Sequence, residues 1–305
     1  MAKIIITGGL GYIGTELTKL YFNDSNNDVS VIDNSFFSQR VQNLVDAGIN
    51  YHNVSILDVD KLEPLLHDAD IIYHLAGITD VPQVESKSSE EKNLKIHEVG
   101  IVGTNNIIKL TNRNSKIIFP STHVVFEGLN KITKDITEEE AVSANLVYSK
   151  VKVQNENDLK KSDLNFTILR LGSVHGLSDD STRLNIMPNL FSKLSSQKGE
   201  LRLYGGGVQL KSLVSVKDVA RCLKFSGESK KTDRQVYHCT SEHFTVKEVA
   251  EICKNKVPKL VIKSSSEDIP NLGYSLSNKK LLDTGFEFKI SLSTSIEKMI
   301  SAWSN

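Results

Sequence analysis

Short apolar runs alternate with longer amphipathic ones along the first 170 residues of this chain. The apolar runs fall at 3–7, 29–33, 50–55, 71–75, 116–120 and 166–171. Each is short and rich in Ile, Val, Leu or Phe, the pattern of strands buried on both faces of a parallel sheet. Between them, 11–22, 39–47, 58–67, 88–112 and 146–161 read as helices. Strands alternating with helices predict βαβ units. After Leu171 the rhythm changes. Residues 172–183 are loop-like, 186–196 read as a helix, and 203–209 are turn-rich. A βα pattern at 213–225 and an apolar run at 236–238 are expected to return to the first unit. Residues 244–305 read as mixed helices with a short strand. The expected fold is α/β, with one large unit from 1–172 plus about 208–240. A smaller mixed α/β C-terminal lobe would comprise 173–207 and 241–305.

Charge and composition narrow the function classes. Lys plus Arg and Asp plus Glu each number 37, so the formal net charge is zero. That balance speaks against a broad basic surface for nucleic acid or anionic membrane, though not against a small phosphate pocket. No apolar run approaches the roughly 20 residues of a membrane-spanning helix. The opening MAKIIITGGLGYIG lacks the apolar region and cleavage site of a secretory signal. Cys222, Cys239 and Cys253 are odd in number and widely spaced, which fits reduced thiols and a cytoplasmic location. The eight histidines show no ligand spacing, and no metal is expected.

The glycines Gly8, Gly11 and Gly14 stand where the first strand should turn into the first helix. In a dinucleotide-binding turn the first glycine allows the tight turn, and the second lets backbone approach a pyrophosphate. The third lets the helix pack closely on the sheet. Backbone N–H groups of Tyr12, Ile13 and Gly14 would then face the phosphates. The motif follows a strand and precedes a helix, the context it requires. Asp33 ends the second strand, 19 residues after Gly14, with Asn34 beside it. A carboxylate there accepts bonds from the adenosine ribose of NAD and repels the 2′-phosphate of NADP. A turn-capping role would also explain it, and Arg40 nearby softens the preference. NAD is therefore favoured over NADP.

Only one tyrosine, Tyr148, has a lysine four residues later, Lys152, which places both on one face of a helix. A free phenol, with a pKa of about 10, is a poor base near neutrality. An adjacent ammonium and a positive nicotinamide ring both favour the phenolate. Tyr148 could then take a proton from a substrate hydroxyl as hydride leaves. Ser121 and Thr122 follow the apolar run IIFP, at the strand edge where parallel sheets bind ligands. Either hydroxyl could hold the reacting oxygen. His123 either faces the pocket as an auxiliary acid or base or makes a structural bond in the loop.

Together these residues resemble extended short-chain dehydrogenases/reductases, in the nucleotide-sugar epimerase/dehydratase branch. The resemblance runs from Lys3 to about Trp303. It rests on TGGLGYIG, IIYHLAG (71–77), VGT (102–104), STHVVFEG (121–128), YSKVK (148–152), LRLGSVHG (169–176) and LYGGGVQLKSLVSVKDVA (203–220), in matching order. It implies a Rossmann-type doubly wound parallel sheet. By the same resemblance Leu75, Ala76, Gly77 and Leu171 would line the cofactor, and Ser55 and Ile56 the adenine. Thr122, Tyr148 and Lys152 take the catalytic positions. Ser121, His123 and Ser173 face the substrate, and Lys211 meets the diphosphate.

Departures from the family pattern bear on the substrate. Gly100 stands where asparagine is common, Ser55 replaces aspartate, and Ser173 replaces asparagine. Lys211 in place of arginine gives a point charge rather than a fork. Thr122 is followed by His-Val rather than the Asp-Glu of 4,6-dehydratases, which disfavours water elimination. The expected activity is an NAD-dependent epimerase of nucleoside-diphosphate sugars, acting by transient oxidation at C4. A nucleotide-sugar dehydrogenase or 4-keto reductase, or a non-catalytic NAD-binding protein, would be read from the same residues. The resemblance also implies a homodimer that pairs the helices at 88–112 and 146–161.

Overall fold

The protein is described by a computed structural model over residues 1–80, 89–180, 183–267 and 272–304. The first four apolar runs form β1 (Ala2–Thr7), β2 (Asn27–Asp33), β3 (Asn50–Asn53) and β4 (Ile71–His74). The helices between them are α1 (Tyr12–Lys19), α2 (Ser38–Asp46) and α3 (Val59–Leu66). The expected helix at 88–112 is not one regular helix. Its first residue, Ser88, lies outside the described residues. The remainder is α4 (Glu90–His97), a π-turn at Glu98–Gly103 and α5 (Thr104–Leu110). A Cβ on Gly100, inside the π-turn, would collide with the Val151 side chain. The asparagine common at this position therefore has no room here.

β5 (Lys116–Thr122), β6 (Thr133–Ile136), α6 (Val147–Lys161) and β7 (Asn165–Leu171) follow. Next come β8 (Ser173–His175), α7 (Met187–Ser196), β9 (Glu200–Leu203), β10 (Leu210–Ser215), α8 (Val216–Glu228) and β11 (Gln235–Cys239). The chain ends with β12 (Glu242–Thr245), α9 (Val246–Lys256), β13 (Val261–Ser264), β14 (Tyr274–Leu276), α10 (Lys279–Leu282) and α11 (Leu292–Trp303). No helix among the described residues is long and apolar enough to cross a membrane.

Seven strands form one sheet in the order β11-β7-β5-β4-β1-β2-β3, every pair parallel. Strand alternation buries both faces. Ile4 and Ile6 of β1 pack with Leu17 of α1 and Val219 of α8, whereas Ile5 packs with Leu62 and Leu66 of α3 and Leu159 of α6. Each fully buried Ile or Leu side chain contributes roughly 1.5–3 kcal/mol. The strand order reverses between β1 and β4, which opens a crevice at their C-terminal ends. Ligands of such sheets bind there.

The stretch 208–240, expected with the large unit, divides. β10 pairs with β8 and β12 in a separate three-stranded sheet. Only β11 joins the seven-stranded sheet, while α8 packs beside α1. A short buried apolar run carries no record of which sheet it joins. The smaller lobe has its own core of Phe191, Leu203, Leu213, Val249, Leu292 and Ile296.

Candidate active site

The turn after β1 is built on two close approaches. Gly8 has φ +69°, and a Cβ there would lie 2.7 Å from the Ala76 nitrogen. A Cβ on Gly14 would strike the Gly8 carbonyl. Helix α1 therefore begins hard against the loop. Gly11 is its N-cap, with no side chain capping it, so the first-turn N–H groups have no intrahelical acceptor. A Cβ on Gly77, across the crevice, meets nothing within 4 Å. Open space bordered by free N–H donors suits a pyrophosphate, so these residues fit a dinucleotide.

The other expected cofactor residues surround this turn. Leu75 N donates to Thr7 O (3.1 Å) and Ala76 N to Thr7 Oγ1 (3.2 Å), which sets 75–77 beside Gly8. Leu171 is buried at the end of β7. Asp33 accepts from Leu10 N (3.1 Å) and Ser35 N (3.0 Å), so its carboxylate both closes the turn and borders the crevice. Asn34 beside it is exposed. The guanidinium of Arg40 is already engaged. It donates to Leu10 O (2.6 Å), pairs with Asp180 (3.5 Å) and lies over the Phe37 ring. That arrangement favours NAD over a 2′-phosphorylated cofactor. Ile56 is buried against Gly103, and Ser55 Oγ accepts from Leu57 N (3.2 Å). Ile13 is partly buried against the core. The Tyr12 side chain is engaged away from the turn. Its hydroxyl donates to Gly176 O (2.7 Å) and accepts from Asn189 (3.3 Å), tying the smaller lobe to α1.

The catalytic candidates meet at the end of β5. The Tyr148 hydroxyl faces the Thr122 and Thr79 side chains, which both lower its pKa. Its ring packs with Ile96, Ile101, Val124 and Val151. Burial pushes the phenol above its ordinary value, offset in part by those two side chains and by the charge of Arg183. The Lys152 ammonium donates to Pro120 O (2.9 Å) and lies 4.4 Å from the centre of the Phe119 ring. Burial lowers it to about 8, with Glu156 pulling the other way. The expectation was that the ammonium and a nicotinamide ring together favour the phenolate; the chain's own charges do not do so alone. Burial of the hydroxyl outweighs the groups of this chain that lower it.

Ser121, expected on the substrate, has its hydroxyl engaged elsewhere. Neighbouring strand residues point to opposite faces. Thr122 reaches Tyr148, whereas Ser121 Oγ donates to the buried Glu156 carboxylate at 2.6 Å. His123 takes the structural alternative. Its Nδ1 bonds the Tyr274 hydroxyl and its Nε2 bonds Ser173 Oγ, both at 3.1 Å. Burial and the charge of Lys211 hold it at about 3, so it is neutral at pH 7. Ser173 faces this histidine. Lys211, on β10, lies close enough to lower His123 electrostatically, and burial lowers its own pKa.

Three residues at the site escaped the sequence reading. Glu127 Oε1 accepts from Asn145 N and Leu146 N (both 2.6 Å) and from Ser149 Oγ (2.9 Å). It caps α6, whose own N-cap residue, Leu146, has no capping side chain. The remaining two, Glu156 and Arg170, are buried and paired with each other at 2.9 Å. Glu156 had a signal, four residues after Lys152. Glu127 had none, because its partners are some twenty residues on. Glu127→Ala is expected to lower stability by about 1–2 kcal/mol, read as a drop in the urea midpoint. An unchanged midpoint would show that the cap is idle.

A parallel sheet with a glycine turn at its switch point, and a Tyr/Lys helix beside it, fits a dinucleotide-binding protein. The sequence pattern of the NAD dependent epimerase/dehydratase family matches residues 4–239, and the chain belongs to that family. Its fold resembles that of a Thermus thermophilus UDP-glucose 4-epimerase in complex with NAD. The TM-score is 0.81 at 21% identity, covering 99% of this chain and 98% of that one. It resembles equally a Bacillus cereus UDP-glucuronic acid 4-epimerase in complex with UDP-glucuronic acid and NAD. That TM-score is 0.82 at 20% identity, covering 98% of both chains. A Danio rerio UDP-glucuronic acid decarboxylase 1 is 29% identical over 125 residues, 41% of this chain. The match spans only 28% of that relative's length.

Proposed function

We propose that the chain is an NAD-dependent epimerase of nucleoside-diphosphate sugars, inverting C4 through a transient 4-ketone. The observation that carries this reading is the meeting of Tyr148, Thr122 and Lys152 beside the β1/β4 crevice. Gly8, Gly11, Gly14, Asp33 and the 75–77 segment would hold the dinucleotide. Bound NAD would supply the acceptor and donor for hydride, and a positive ring that favours the phenolate.

The side chains handle the proton and the substrate. Tyr148 Oη takes the proton from the sugar 4-hydroxyl and returns it after the ketone has presented its other face. Thr122 Oγ1 bonds that oxygen in both states. Lys152 holds positive charge beneath the phenol. Lys211 meets the diphosphate, and the neutral His123 holds Ser173 in the sugar pocket. The test is a panel of UDP- and dTDP-hexoses followed by proton NMR and nicotinamide absorbance. Conversion to the 4-epimer with no net absorbance change supports the reading. Stoichiometric NADH formation or consumption would make the enzyme a dehydrogenase or 4-keto reductase instead. No conversion of any nucleotide sugar would overturn it.

The homodimer is also a proposal. Leu94 and Val102, 66% and 47% exposed on the run from α4 into the π-turn, would be covered by a second copy. Sedimentation at micromolar protein should give twice the 33.9 kDa of the chain. A monomer there would remove the proposal.

A further inference from the structure

Tyr148, Lys152 and Glu156 stand four residues apart on α6, so they form one stripe about 6 Å apart along the axis. Glu156 is only 1% exposed. Its Oε1 accepts from Ser121 Oγ (2.6 Å) and Arg170 Nε (3.1 Å), and its Oε2 from Arg170 Nη2 (2.9 Å). Ser121 and Arg170 are register partners on β5 and β7. One carboxylate therefore clamps two strands and a helix. The strand residues flanking Ser121 are the ones the catalytic pair touches. Pro120 O takes the Lys152 ammonium, and the Thr122 side chain faces Tyr148 and lowers its pKa.

We propose that Glu156 is a positioning residue for this reaction. Its carboxylate locks the strand end 120–122 against α6 and holds the Lys152 ammonium in place beneath Tyr148. The inference rests on the functional reading above, but it concerns a charge that can be read without substrate.

The charges facing this group are few. On α6 itself, Lys160 lies 3.6 Å from Glu156 Oε2. From β7 comes Arg170, whose guanidinium also lies 5.4 Å from the centre of the Phe126 ring. From β11 comes His238, held at about 3 by burial and by the charge of Arg170, with Glu138 4.0 Å from it. From β4 comes His74, also held at about 3. Both histidines are uncharged at neutral pH. Lys152 therefore has Glu156 as its compensating negative charge.

The test is competitive acetylation of Lys152, followed across pH by peptide mass spectrometry. Only the free amine reacts, so the labelling midpoint reports the ammonium directly. Glu156→Gln keeps an acceptor for Ser121 and removes the charge. Its midpoint is expected to fall by about one pH unit. The alkaline limb of kcat should move with it, and kcat should fall about tenfold with KM little changed. Should the unpaired Arg170 prevent folding, Glu156→Gln combined with Arg170→Gln removes both charges, and its midpoint should still fall. A midpoint equal to wild type in the folded variant overturns the inference. A shifted midpoint in a protein that converts no nucleotide sugar would uphold the role of Glu156 on Lys152 and sink only the proposed activity.

Discussion

Tyr148→Phe is expected to slow turnover by about 10²–10⁴-fold, the usual contribution of a positioned acid or base. The phenyl ring keeps its place. Ile96, Ile101, Val124 and Val151 pack with it, and all four are apolar. What is lost is the oxygen that faces Thr79 and Thr122. Thr122 keeps a second partner, since its Oγ1 accepts from Val124 N at 3.1 Å. Stability should therefore change by no more than about 1 kcal/mol, the net value of one hydrogen bond. NAD binding should survive, because the turn around Gly8 and the carboxylate of Asp33 lie on other elements. The measurement pairs the epimerisation rate with NAD binding by fluorescence and with the thermal midpoint. Loss of rate with binding and midpoint intact identifies the phenol as the proton carrier. An undiminished rate would sink the catalytic role.

The sequence made the crevice legible and left its underside hidden, for a physical reason. Gly8, Gly11, Gly14 and Asp33 serve local backbone geometry, so their spacing is written along the chain. Tyr148 and Lys152 share one helix, and their separation is a helix period. The hydroxyl of Ser121 is engaged elsewhere, and residue type does not say which face of β5 a hydroxyl occupies. Its partner, Glu156, lies 35 residues away and becomes a neighbour only when α6 packs on the sheet. Glu127, which caps α6 from a different segment, is the same kind of case. The β10 strand joined the smaller sheet although its apolar pattern would serve either. What sequence misses here is contact between elements, and that is where the ammonium of Lys152 gets its support.

Mild acid is expected to unfold the protein, with the thermal midpoint falling steeply between about pH 6.5 and pH 5. His74, His175 and His238 are at most 1% exposed, and burial is the first cause holding each at about 3. The charge of Lys152 adds to this at His74, and that of Arg170 at His238. In the unfolded chain each would take its proton near the ordinary value of about 6.5. Between those two values the unfolded state binds more protons, so stability is present above pH 6.5 and is lost as pH falls. At pH 5 each histidine costs about 2 kcal/mol. Three together come to about 6 kcal/mol, comparable with a total stability of roughly 5–15 kcal/mol. Glu138 and Glu242, raised by burial, act in the opposite sense and offset part of the loss as they take up protons in the fold. His175 shows the effect with least interference, because neither ring nitrogen has a hydrogen-bond partner among the described residues. His175→Gln should flatten the pH slope of the thermal midpoint, measured at constant ionic strength. A midpoint that stays level from pH 7 to pH 5 would mean these rings accept protons in the folded protein, and that water reaches them.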